Sequence, residues 1–176
     1  MKGIVFTEFF EMVEKSFGYE MVDTLIETTE LESGGIYTAI GTYHHSEIVN
    51  LVVNLSKQTG TDIETLLHAF GRYLFDTFLK SYPVFFDNAS NSFEFLASID
   101  NYIHVEVQKL YPDATLPRFT TELADGKMIM IYDSERSMSA LALGLIEKTL
   151  EHYGEDLLIS RELLKEDGSE VKFVIG

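Results

Sequence analysis

The chain has 176 residues, the size of one domain with a core that removes roughly 70% of the unfolded surface from water. Its formal charge of −16 and pI near 4.5 repel phosphate backbones and anionic bilayers, which argues against nucleic acid or a membrane surface as partner. The absence of cysteine excludes disulfides and thiolate metal ligands, so any metal falls to His, Asp, Glu or Tyr.

No run of about 18 apolar residues is present, and Met1 to Tyr19 carries acidic residues throughout, unlike a secretion signal. A cytoplasmic location is the expectation. Val5, Phe6, Phe9, Met12, Val13 and Phe17 recur at helical spacing, so residues 4–17 read as an amphipathic helix closed by Gly18. A short helix over about 21–28 follows, then a turn at Gly34-Gly35 and an ambiguous stretch to Tyr43. Ser46 is placed to cap a third helix through Ile48, Val49, Val52, Val53 and Leu55, ending before Gly60.

Thr61-Asp62-Ile63-Glu64 has the capping-box pattern and opens a long helix through Leu67, Phe70, Leu74, Phe75 and Phe78, which Tyr82-Pro83 stops. Gly71, in its middle, marks a close approach, a bend or a tolerated glycine. Asn91 with Glu94 opens the next helix, whose stripe Leu96, Ile99, Ile103, Val107 and Leu110 runs to Tyr111-Pro112. Beyond Pro117, residues 119–123 and 128–132 flank Asp125-Gly126 and read as a β-hairpin. A helix over about 138–153 and strands near 157–160 and 171–175, around Asp167-Gly168, complete an α+β chain with a small antiparallel sheet. No repeat or linker divides it, so residues 1–176 read as one domain of two lobes, a helical one over about 1–60 and an α+β one over about 61–176.

Thirteen Phe and nine Tyr suit an enclosed apolar pocket as readily as a core. Of five histidines, His44 and His45 lie in a polar loop, and His68 and His152 sit among charged helix neighbours. His104 alone is embedded in an apolar helix, either as a satisfied core residue or as an axial ligand for iron. Tyr132, Ser134 and Arg136 follow the apolar run 128–131 at alternate positions, so a strand would turn all three to one side. The trio is either an exposed polar strand end or a cradle for a compact dianion, since a guanidinium fork and two hydroxyls match carboxylates.

These residues belong to a wider pattern. Met1-Lys2-Gly3, Ser33-Gly34-Gly35-Ile36-Tyr37-Thr38, Ala69-Phe70-Gly71, Ile103-His104-Val105-Glu106-Val107, Leu116-Pro117-Arg118-Phe119 and Gly144-Leu145-Ile146-Glu147 accompany the Tyr132/Ser134/Arg136 spacing. Together they resemble the H-NOX family of haem-based gas sensors, related to the haem domain of soluble guanylate cyclase, over essentially the whole chain. The resemblance implies a non-covalent b-type haem between the lobes, with His104 as the iron ligand and Tyr132, Ser134 and Arg136 on the propionates. It also places Pro117 and Phe78 against the macrocycle, and Gly71 on a helix that moves in signalling.

Oxygen-binding relatives carry a distal Tyr with polar or Trp neighbours; the matching positions here read Leu141, Leu74 and Phe9, with Val5 in the same pocket. No hydrogen-bond donor remains among them. The resemblance therefore implies a sensor that binds NO and CO at ferrous haem, excludes O2, and signals through a weakened iron–His104 bond to a separate histidine kinase or cyclic-di-GMP enzyme. Alternatives are an O2-binding haem sensor or a haem-free pocket for an apolar carboxylate. An enzyme is not expected, because neither a thiolate nor a second histidine in an apolar setting is present for peroxidase or oxygenase chemistry.

Overall fold

A computed structural model describes all 176 residues. Helices α1 (Gly3–Phe17), α2 (Tyr19–Thr28) and α3 (His45–Thr59) come first, followed by α4 (Ile63–Ser81), α5 (Pro83–Asp87), α6 (Ser92–Ser98) and α7 (His104–Leu110). The rest comprises β1 (Arg118–Ala124), β2 (Lys127–Asp133), α8 (Ser139–His152), β3 (Ile159–Leu163) and β4 (Glu170–Ile175). The four strands form an antiparallel sheet in the order β1-β2-β4-β3, the α+β organisation expected. No helix is long and apolar enough to cross a membrane.

Local chemistry explains most boundaries and corrects two. The cap of α3 is His44, whose Nδ1 accepts from the Ser46 backbone N–H at 3.3 Å; Ser46 lies inside the first turn and bonds that ring instead. The cap of α4 is Asp62 rather than Thr61, its carboxylate accepting from the Thr65 amide at 3.1 Å. Asn91 caps α6 as expected, with its carbonyl on the Glu94 amide. Asp125 (φ 52°) and Gly126 (φ 76°) are both left-handed, the backbone that a two-residue hairpin turn between β1 and β2 requires.

The helix expected over residues 91–111 runs without a gap from Ser92 to Leu110, but it is not regular. A π-helical turn over Ile99–Ile103 separates α6 from α7, and the His104 amide reaches back five residues to the Ile99 carbonyl. Apolar spacing does not reveal such a turn, because one extra residue per turn moves the stripe by less than its width.

Two cores share α4. Its Leu66, Leu67, Phe70 and Leu74 pack with α1, α2 and α3, whereas its Phe75 joins Phe86, Phe95, the inner sheet face and Ala142, Ile146 and Leu150 of α8. Alternation in β2 and β4 turns Met128, Met130, Tyr132, Val171, Phe173 and Ile175 inward. Where α4 crosses α8, glycines allow backbone to meet backbone. A Cβ on Gly71 would sit 2.1 Å from the Leu141 carbonyl oxygen, and one on Gly144 would sit 2.2 Å from that of His68. Gly71 is thus a close approach.

Because helix backbone cannot yield as a side-chain tip does, Gly144→Ala is expected to lower stability by about 1–3 kcal/mol. Urea unfolding of the variant beside wild type measures this; an unchanged midpoint would refute the packing argument.

Candidate functional site

A cavity of about 380 Å³ lies between the two cores, lined by 34 residues of which 27 are hydrophobic. It is an apolar slot with few polar groups, and their positions are specific. His104 stands on the wall at the start of α7, directly after the π turn. Its Nδ1 is buried without a hydrogen-bond partner, and no protein group engages Nε2. The nearest carboxylate oxygen, Asp100 Oδ1, is 3.6 Å from Nδ1 and accepts from the Phe119 backbone N–H at 3.2 Å. Burial pushes the His104 pKa down, against the smaller upward pull of Asp100, so the ring is a neutral imidazole, the form that ligates metals.

At another part of the cavity, Tyr132, Ser134 and Arg136 come together, the first two by alternation along and just past β2 and Arg136 by the turn that follows. Strand β2 ends at Asp133, and Ser134 and Arg136 lie in the turn that leads to α8, closed by the Ser137 amide on the Ser134 carbonyl at 3.1 Å. The Ser134 amide donates to the Ser169 carbonyl at 2.8 Å, in register one step beyond the Asp133–Glu170 pair of the β2–β4 ladder. Each hydroxyl oxygen already accepts a backbone N–H: Tyr132 from Met138 at 3.0 Å, and Ser134 from Arg136 at 3.3 Å. Both O–H protons therefore stay free to donate. Arg136 spends one Nη2 proton on the Thr115 carbonyl, leaving the rest of its fork.

Burial lowers the Arg136 pKa, with Tyr132 and Glu135 opposing, and burial also lowers that of the Met1 α-amino group, helped by the charges of Arg136 and Lys2. Three cationic groups near one region of a strongly acidic chain make a local site for anions.

The cavity also takes in Pro117, Phe78, Leu74, Leu141 and Val5. It does not take in Phe9, which is fully buried in the first core with its ring edge-on to Phe70 at 5.3 Å. His68 bonds Glu147 at 2.8 Å, in keeping with its charged setting. His152 instead lies against the rings of Phe75, Phe86 and Tyr153. Lining residues that the sequence did not assign to the site include Lys2, Ile4, Tyr82 and Thr115. Their signals are weak, because single residues in loops or at helix ends carry no periodicity.

An apolar slot, a neutral unpartnered imidazole and a cationic region with free hydroxyl donors define a receptor for a flat apolar metal cofactor bearing acidic arms. The chain matches the family model described as haem-NO-binding over residues 2–161 and belongs to that family, the H-NOX haem-binding gas sensors, whose domains bind non-covalent haem iron. A similar solved structure is an Fe(II) unliganded H-NOX protein from K. algicida, 48% identical over 100% of this chain and 96% of that one, with a TM-score of 0.96. Another is the IWP-051-bound H-NOX from Shewanella woodyi in the Fe(II)CO state, 41% identical over 99% and 93%, TM-score 0.83. A third, from S. oneidensis in the Fe(II)NO state, is 25% identical over 100% and 98%, TM-score 0.91. Comparison with curated proteins gives no match.

Tyr132→Phe removes the acceptor for the buried Met138 amide, so it should cost about 1–3 kcal/mol of stability in the haem-free protein. Thermal unfolding of apoprotein checks this apart from any cofactor contact, and an unaltered transition would contradict the bond.

Proposed function

We propose that this protein senses nitric oxide, binding NO, and also CO, at ferrous haem while discriminating against O2, and that it signals to a separate protein. The observation that carries the reading is the neutral His104 imidazole in the wall of an apolar cavity, with both ring nitrogens free of hydrogen bonds. Bound haem would supply a ferrous iron able to take diatomic gases.

His104 would hold that iron through Nε2. Tyr132, Ser134 and Arg136 would donate to the propionates through the protons that their backbone partners leave free. Pro117 and Phe78 would pack on the macrocycle from the cavity wall. The attachment of His104 to that iron would be the link that yields, letting α7 and the N-terminal helices shift against each other. The working unit is a single domain of residues 1–176, with about 1–60 as the distal lobe and about 61–176 as the proximal lobe, in the cytoplasm.

Discrimination rests on donors that are missing or already spent. Val5, Leu74 and Leu141 bring none, and Thr149 spends its hydroxyl proton on the Leu145 carbonyl at 2.9 Å. Bound O2 carries more negative charge than bound NO, and lacking a donor in a dry pocket withholds about 1–3 kcal/mol, about tenfold to a hundredfold in affinity. An O2 sensor would need such a donor. Tyr82 is the candidate, because its phenol makes no hydrogen bond and burial raises its pKa.

Reduced protein in air should keep the absorption spectrum of the unliganded ferrous form and change on anaerobic addition of NO; a stable oxy spectrum defeats the proposal. The partner is expected to be a histidine kinase or a cyclic-di-GMP enzyme with a basic docking face, to suit the charge of −16. Only a difference in affinity between two states transmits a signal. His104→Gly should therefore act on the partner as NO-loaded wild type does. Acting instead like the unliganded protein would count against release of His104 as the switch.

A further inference from the structure

We infer that Asp100 is the positioning residue for His104: its carboxylate accepts the Nδ1 proton once Nε2 is engaged, and so sets how firmly that imidazole grips. The inference rests on the haem reading above and says what tunes it.

Three observations converge on Asp100. An imidazole that gives its Nε2 lone pair to a metal carries its proton on Nδ1, and here Nδ1 is buried with no acceptor within hydrogen-bond range. A buried N–H left so costs free energy comparable to a lost hydrogen bond, so the acceptor nearest at hand is under pressure to close. That acceptor is Asp100 Oδ1 at 3.6 Å, about half an ångström beyond a good bond. The same oxygen is held from its other side by the Phe119 amide at 3.2 Å, which fixes the carboxylate at the start of β1 and keeps it aimed at the ring.

The third observation is the π turn. Residues 99–103 form its five positions, so Asp100 and His104 are joined by a widened turn, with the His104 amide on the Ile99 carbonyl instead of on that of Asp100. In an ordinary α turn the two side chains would stack one above the other at the usual spacing. The widened turn changes their relative direction and leaves the pair close but unbonded, a geometry that a small rotation of the ring completes. Extra turns of this kind recur at functional sites.

The chemistry follows from second-shell donation. A carboxylate drawing on the Nδ1 proton raises the basicity of Nε2 and orients the ring. Asp100 therefore opposes release of His104, and the Phe119 amide ties that opposition to β1.

The test compares reduced, haem-loaded wild type with Asp100→Asn and Asp100→Ala. Resonance Raman should show the iron–histidine stretch moving to lower frequency in both variants, further in Asp100→Ala, because Asn keeps an oxygen for Nδ1 and for Phe119 but loses the charge. In the CO-loaded proteins, the Nδ1 proton resonance should move upfield in the same order. An unchanged stretch and proton shift in variants that keep the wild-type Soret band overturns the role of Asp100 and leaves the haem reading intact. Failure of wild type itself to take up haem overturns both.

Discussion

A hydrocarbon-lined cavity between two cores is the constraint on which this structure turns. Interiors gain dispersion energy from close packing, so an apolar cavity of about 380 Å³ is shaped to pack against an occupant. The scaffold around it is rigid. Helices α4 and α8 meet backbone to backbone at Gly71 and Gly144, and β2 and β4 present an unbroken inner face of large apolar side chains. An occupant that restores the missing contacts stabilises the folded form by mass action, so cofactor binding and folding are linked quantities in this protein.

The same constraint explains the sparing use of polar groups. An apolar wall makes any unpaired donor expensive, so each polar residue on it is either satisfied or held for the occupant. Thr149 is satisfied within its own helix. Tyr132 and Ser134 have their oxygens occupied by backbone amides and their protons in reserve, an arrangement that favours an incoming acceptor over water. The His104 ring is kept neutral by the burial that makes its Nδ1 an orphan.

Much of this was legible from residues alone, where periodic patterns or short motifs carry the information. The stripes of α1, α3, α4 and α8, the Asn91 cap and the Asp125-Gly126 turn depend on nearest neighbours, and nearest neighbours are what a sequence displays. The spacing rule that found the residues at 132, 134 and 136 holds for Tyr132 and Ser134, both buried between the exposed Asp133 and Glu135, but not for Arg136. Arg136 lies past the last in-register bond, that of the Ser134 amide on Ser169, a partner 35 positions away that no local pattern announces. Phe9 does not line the cavity but packs in the adjoining core, where Phe70 on another helix meets its ring. The π turn leaves the apolar stripe intact, and the proximity of Asp100 to His104 gained its meaning only from Phe119, brought in by the sheet. Tertiary partners decide these cases, and composition does not reveal them.

His104 is joined to the rest of the chain in two directions, and the strengths of those connections set how a displacement spreads. Behind it, the π turn leads to Asp100 and through the Phe119 amide to β1. Ahead of it, α7 ends at Tyr111, over whose ring the Lys2 ammonium lies at 4.6 Å, while Asp113 is 3.7 Å from Lys2 and accepts from Thr42. Lys2 and Thr42 also form a β-bridge, and with the Gly3 amide on Gly41 and the Ile4 amide on Ala39 it pins the start of α1 to the loop before α3. Ion pairs of this length with one exposed partner contribute at most about 1 kcal/mol, and a cation over a tyrosine ring about as much. The link from α7 to the N-terminal helices is therefore soft, whereas the α4–α8 crossing beside the same cavity is stiff. Along the Lys2 side, α7 meets the start of α1 through weak polar contacts, whereas the α1, α2 and α3 core is held to the long α4 by close apolar packing.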